Sequence, residues 1–542
     1  MYSKIVLFFA LSVLTVSEGW GQSFTSDRVK ELFRNQQLLG TYQPNHSFMV
    51  NANQVPLTDL DSALGIEKKQ LATFQFLPAQ LVQQYNSQLP YDWNNGAMIP
   101  ARGYQLLASV GVHAQLGRHL EIQLAPEAVL AENRVFEQFS SQLSDKSWAA
   151  RYRFWNTIDM PDRFGNDHYQ KLFPGQSFIR YNTRSLSFGI STQNLWWGPG
   201  YRNALIMSSN APGFLHATIN TIRPLHTGIG DFEGQIIAGK LDGSDVLPPR
   251  IYSVYNGQFL YQPKNDEWRY LTGMVLTWRP KWTPNLFLGF AKASYLYHSD
   301  ITNPLDVLPF EGFLGHSRTQ AERTGKKASL GSLFMRYIMP KEQAEMYLEY
   351  GRKDISMMPW NVLQNAPYRR AFTGGFRKLF DWKNQSHILL AVELTQLQAP
   401  DATLIRNPDS WYTHAYVRQG YTQLGRPLGA GIGPGSNSET LEIAWVKGLK
   451  KIGIQFERLR HNGDFYYYAF ESIGDFRRNW VDLSTTFKAD WNYQRFFFSG
   501  QLGIIRSLNY QWLVIQIDPR NYFAPGNEYL NIAAKIGVGY RF

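Results

Sequence analysis

The chain has 542 residues, with 54 Lys and Arg against 43 Asp and Glu, a formal net charge of +11 and no cysteine. Without cysteine, a disulfide framework, a thiolate metal site and a lipidated N-terminal cysteine are excluded. Aromatic residues make up 15% of the chain, rich for a soluble domain, while no apolar run beyond the first residues is long enough for a helical membrane span.

Lys4 precedes an apolar run from Ile5 to Val16, and Gly19 and Gly21 stand where a signal peptidase reads small residues. Residues 1–21 are therefore expected to be a cleaved secretory signal peptide, with the mature start near Gln22. Ser26-Asp27 then leads Val29, Leu32, Phe33, Gln36 and Leu39 at helical spacing, and Gly40 sits where a helix would stop. From Gln70 to Ser87, "QLATFQFLPAQLVQQYNS" mixes helical spacing with a break at Pro78. Residues 22–95 read as a small, mostly helical periplasmic region, and residues 96–542 as the barrel described next.

From about residue 100 the period changes to two. Leu106, Ala108, Val110, Val112 and Ala114 alternate with a set that includes Gln105, Ser109 and His113, and a Gly117-Arg118 turn follows. Glu345, Tyr347 and Glu349 alternate with Met346, Leu348 and Tyr350 after the tight turn Pro340–Gln343. Ile388, Leu390, Val392 and Leu394 alternate with Leu389, Ala391, Glu393 and Thr395, whereas Asp300–Lys327 has loop chemistry. The chain ends on "YLNIAAKIGVGYRF", apolar at every second position from Leu530 to Phe542. Strands with one apolar face, short turns alternating with long polar loops, and abundant aromatics are the marks of a transmembrane β-barrel. At about 25 residues per strand with its share of connections, the length supplies about 16 to 18 antiparallel strands. The terminal alternation then faces lipid, and the final aromatic resembles the signal read by the outer-membrane barrel assembly machinery. The positive charge suits an anionic partner such as lipopolysaccharide phosphate or an acidic polysaccharide, and export argues against nucleic acid.

The most unusual internal stretch is "QNLWWGPGYRNALIMSSNAP", Gln193–Pro212. Trp196 and Trp197 are adjacent, so on a strand they would face opposite ways and could not both meet lipid. Gly198-Pro199-Gly200 breaks any ladder. Tyr201, Arg202 and Asn203 follow at once, and rings beside guanidinium and amide groups are a way to hold sugars. A structural corner packed inside the barrel fits the same residues equally well. The stretch "NLWWGPGYRNALIMSSNAPGF" resembles the signature of the capsule assembly Wzi family, outer-membrane β-barrel lectins. "PYDWNNGAMIPARGYQ" (Pro90–Gln105), "FPGQSFIRY" (Phe173–Tyr181), "EMYLEYGRKD" (Glu345–Asp354) and "GRPLGAGIGPGSNS" (Gly425–Ser438) look like that family too. The resemblance implies a barrel of about 18 strands with a small helical bundle at its periplasmic end, binding capsular polysaccharide at the cell surface. The expected site is Trp196, Trp197, Tyr201, Arg202 and Asn203. The alternative function is a porin or sugar channel.

No cofactor or catalysis is expected. "GAGIGPG" (Gly429–Gly435) lacks the spacing of a dinucleotide loop and reads as a turn or loop. The eleven histidines include no His-Glu-x-x-His pair. Glu345 and Glu349 share one strand face about 13 Å apart, which suits lumen lining better than a glycosidase pair.

Overall fold

The period-two stretches pair with their neighbours in sequence. The structure, a computed structural model, describes residues 19–20, 24–41, 46–50, 74–309, 321, 324–353, 370–399, 410–470, 479–513 and 528–542. The barrel strands run β1 (Phe74–Asn86), β2 (Gly103–Leu116), β3 (Leu120–Leu124 with Glu127–Ala131), β4 (Tyr169–Phe173 with Phe178–Asn182), β5 (Leu186–Ser191) and β6 (His216–Thr221 with Leu225–Thr227). They continue as β7 (Gly230–Leu241), β8 (Arg269–Pro280), β9 (Leu286–Tyr297), β10 (Ala328–Met339), β11 (Ala344–Lys353) and β12 (Arg370–Asp381). The last six are β13 (His387–Gln396), β14 (Asn437–Lys447), β15 (Lys450–Arg460), β16 (Val481–Tyr493), β17 (Phe496–Leu508) and β18 (Tyr529–Tyr540). Each pairs antiparallel with the next, and β1 pairs with β18 from Ala79↔Tyr540 to Asn86↔Ala533, so the sheet closes on itself. Closure removes the sheet edges, the requirement for strands in lipid.

The outward face is apolar. Leu348, Leu394, Phe487, Leu502, Ile532 and Ile536 are exposed on it, each flanked by inward polar residues such as Glu349, Glu393 and Thr486. Such a continuous apolar surface is incompatible with water and suits lipid. No described helix is long and apolar enough to cross a membrane. The terminal alternation behaves as expected: Leu530, Ile532 and Ile536 point outward, and the Phe542 ring packs on Tyr540 at 5.3 Å and Phe76 at 6.2 Å.

Connections alternate in length. At one end residues 183–185, 448–449 and 494–495 are complete turns; at the other, 132–168, 242–268 and 397–436 are long. Trp282, Trp382 and Tyr493 are exposed beside the short turns, an aromatic girdle at that end. The Asp300–Lys327 stretch does connect β9 to β10, with residues 310–320 and 322–323 outside the described residues.

Two readings of the N-terminal region change. Residues 74–86 are not helical: they are β1, which joins the two ends of the barrel, so the barrel starts before residue 96. The cause is a bulge between Leu77 and Gln80, at Pro78, where a missing N–H is tolerated. It flips the inward positions from Leu77 to Gln80, Val82 and Gln84, and this phase slip imitates helical spacing. The helix α1 (Phe24–Leu38) is present, but its residues from Val29 onward are almost all buried, because it lies within the lumen at the short-turn end. Val29, Leu32 and Phe33 pack on Leu449 and Phe497 beside the short turns, and Arg28 Nη2 donates to the Leu449 carbonyl at 3.1 Å. Of the expected signal peptide, only Gly19 and Trp20 fall among the described residues.

Candidate functional site: the plugged lumen

Residues 192–215, joining β5 to β6, turn into the lumen. Trp197 bridges backbone to backbone with Val50 and Met207, and its Nε1 donates to Gln235 Oε1 at 2.9 Å. Its ring fills the space over Gly273 of β8, where an added Cβ would approach the indole to 2.8 Å. Gly198 (φ +115°) lies against Glu349, whose carboxylate a Cβ would meet at 2.8 Å. The Pro199 carbonyl then accepts from Arg34 of α1 at 2.9 Å.

The turn that follows points three successive N–H groups at one carboxylate. Glu393 on β13 accepts from the backbone of Tyr201 at 2.6 Å, Arg202 at 3.0 Å and Asn203 at 2.8 Å. Such a nest of amides holds an anion through partial positive charge. Tyr347 adds its hydroxyl to Glu393 at 2.7 Å. The side chains beyond the nest are locked in turn. Tyr201 donates to Glu31 at 3.1 Å, and Arg202 Nε donates to Glu457 at 2.8 Å with its guanidinium 4.6 Å above the Trp93 ring. Burial first, and then the Glu31 carboxylate, push the Tyr201 phenol well above its ordinary value, so it remains a neutral donor. Burial works against the Arg202 cation, but Glu457 more than restores it.

The expected site residues therefore divide. Trp196, Tyr201 and Arg202 line a cavity of about 230 Å³. Trp197 and Asn203 are fully buried in the surrounding packing and do not reach it. Neither tryptophan meets lipid, because both sit in a connection and not on a strand. The indole of Trp196 is covered by Lys30 at 4.7 Å, and its Nε1 has no hydrogen-bond partner among the described residues. Sequence reasoning missed the rest of the lining. Tyr91, Trp93 and Asn95 come from the connection between β1 and β2, Lys451 and Lys488 from inner strand faces, and Lys535 from β18. A tryptophan set among Asp92, Asn94 and Asn95 was the available signal for the first group. Seven cationic side chains line the cavity against three carboxylates, though most of the cations also pair with carboxylates set behind them.

Glu345 and Glu349 line the lumen as expected and take structural partners. Glu345 accepts from Arg34, Arg336 and Arg377; Glu349 accepts from Ser332 and the Leu205 N–H. Gly429–Gly435 is a connection packed on the same plug, where Ser208 Oγ donates to the Gly429 carbonyl at 2.5 Å. Gln176 exchanges hydrogen bonds with Asn194, and Arg426 pairs with Asp92. All five stretches of unusual sequence thus meet inside one barrel. Among the described residues no cluster of His, Asp and Glu suited to a metal occurs.

A closed 18-strand antiparallel barrel with an apolar outside and a charged, filled inside is an outer-membrane β-barrel protein. The family model described as capsule assembly protein Wzi matches residues 93–494, and the chain belongs to that family. A similar solved structure is Wzi of Escherichia coli, described as an outer-membrane protein involved in group 1 capsule assembly and a carbohydrate-binding β-barrel. It has a TM-score of 0.60 at 11% identity, over 97% of this chain and 100% of that one. OccAB2 of Acinetobacter baumannii has a TM-score of 0.39 at 10% identity, over 86% of this chain and 97% of that one. No curated protein sequence matches the chain.

Proposed function

We propose that this outer-membrane barrel binds capsular polysaccharide and supports capsule assembly at the cell surface, without catalysing a reaction. The observation that carries this reading is the cavity beside Trp196, Tyr201 and Arg202, where indole and phenol rings, amides and fixed cations converge. Rings and guanidinium groups recognise the C–H faces, hydroxyls and carboxylates of sugars. In this reading the short turns and α1 face the periplasm, as short turns do in outer-membrane barrels. The outer surface meets membrane lipid and lipopolysaccharide, and insertion uses the barrel assembly machinery.

The rival is a porin or sugar channel using the same lumen. The filling of that lumen by α1 and residues 192–215 favours binding over conduction. Detergent-purified protein should bind polysaccharide from its own strain and conduct poorly in planar bilayers. Arg202→Ala removes a charge-assisted hydrogen bond of about 1.5–3 kcal/mol, so affinity should fall roughly 10- to 100-fold. Trp196→Ala should weaken binding as well. Wild-type affinity in both folded variants would remove this cavity from the site, and large conductance without binding would favour the channel.

A further inference from the structure

The Tyr91–Trp93 segment that walls the inner cavity also walls a second one. This cavity, of about 220 Å³, lies toward the long-loop end, between residues 151–164, 425–436, 459–462, 480–482 and 505–512. We propose that it is a separate subsite for a neutral, hydroxyl-bearing sugar ring. The proposal rests on the polysaccharide reading above and adds a second position along the bound glycan.

Five of its lining side chains hold a polar atom without a hydrogen-bond partner among the described residues; Trp93, which lines both cavities, is one, and the four most deeply buried carry the argument. Trp512 Nε1, Asn531 Nδ2, Arg151 Nε and Gln511 Oε1 have no hydrogen-bond partner among the described residues, although the four residues are 2%, 1%, 4% and 5% exposed. Buried polar atoms are nearly always paired, so four orphans around one cavity imply a polar occupant. Three are donors and one is an acceptor. Sugar hydroxyls, which both donate and accept, satisfy such a set.

The backbone shows the same bias. Asn509, Gln511 and Trp512 have φ of 49°, 54° and 55°, left-handed values that are uncommon for residues other than glycine. Strain of this kind persists where the surroundings over-determine it and gathers at ligand clamps. Here it sets Gln511 and Trp512 among the residues that line the cavity. A rigid aromatic wall stands nearby: the Trp480 Nε1 donates to Asp482 at 3.0 Å and Ser507 at 2.9 Å, and the His461 ring stacks on Trp480 at 3.8 Å.

Charge selects the sugar class. Arg151 pairs with Asp162 at 2.5 Å, Arg426 with Asp92, and His461 bonds Asp482 at 2.8 Å. Each carboxylate of this wall is engaged by Arg151, Arg426 or His461, and both arginines are engaged in return, so the wall favours hydrogen bonds to a neutral ring over an anionic sugar.

The test titrates the full-length protein in detergent with polysaccharide purified from its own strain and with methyl glycosides of neutral hexoses, at low and high salt. Trp512→Phe removes the indole N–H but keeps a ring. Gln511→Asn withdraws the acceptor while tolerating the left-handed backbone. Each should weaken polysaccharide binding roughly two- to tenfold, the range for a neutral hydrogen bond. Their loss should not depend on salt, unlike that of Arg202→Ala, and the glycosides should bind wild type more tightly than either variant. Heat-modifiability of each variant reports folding. If wild type binds polysaccharide and both folded variants bind equally well, the subsite is overturned and the function stands. If wild type binds no polysaccharide, both fall.

Discussion

Arg34 of α1 donates its Nε to Glu345 Oε1 of β11 at 2.7 Å, and both side chains are sealed from solvent. The same carboxylate takes Arg336 Nε at 2.8 Å and Arg377 Nη1 at 3.1 Å, so one anion organises three cations. Glu345→Gln leaves those cations buried and under-compensated. Removing one partner of a buried pair typically costs about 3–5 kcal/mol. The variant is expected to insert as a barrel with a lower unfolding temperature and a higher conductance, because α1 loses its anchor. Deleting residues 24–41 should raise conductance further while β1 is retained. Unchanged conductance in both proteins would contradict a plugging role for α1.

Glu393 is the second organising anion, and its partners are the three amides that follow Gly-Pro-Gly. Glu393→Gln exchanges a charged acceptor for a neutral one and turns a donor toward N–H groups. Loss of a charge-assisted bond is worth about 1.5–3 kcal/mol. Hydrogen–deuterium exchange should rise in peptides covering 194–210, with the barrel strands unaffected, and polysaccharide affinity should fall. Equal protection of that segment in both proteins would show that the nest does not hold it.

The docking of α1 should depend on pH in one direction only. Burial alone would raise the Glu31 carboxyl, but Arg28, Lys451 and Arg377 hold it well below the ordinary glutamate value of 4.5. A depressed native pKa means that the stabilisation is complete above the unfolded value and declines as pH falls from there through the native value. Conductance should therefore stay low from neutrality down to about pH 4.5 and rise progressively below it. In Glu31→Gln the docking should be weaker at neutral pH and this acid-dependent step should be lost. Opening of the wild type well above that range would refute the assignment.

The strands were legible because lipid and lumen impose period two, and Glu345, Tyr347 and Glu349 point inward where their alternation put them. β1 was hidden by its bulge at Pro78, which breaks the alternation at the seam. The helical spacing of Val29, Leu32 and Phe33 revealed α1 but not its place. A charged helix on a water-facing surface and one inside a charged lumen have similar patterns. The same limit applied to the site. Trp196 and Trp197 differ only in what distant strands bring to them: Lys30 and a cavity for one, Gln235 and Gly273 for the other. Lys451 and Lys488 look like ordinary strand lysines until the barrel curls their faces around Glu442.

The position of α1 also orders events in time. Its Arg34 binds Glu345 and its Glu31 binds Arg377 and Lys451, more than three hundred residues further along the chain. Contacts this distant in sequence form only after the intervening chain has been brought together, against a closure entropy that grows with separation. The wall that receives the helix does not exist until β10 to β15 are paired. Although α1 precedes every barrel strand in the chain, its seat is built from strands that follow it, so its docking waits on their pairing.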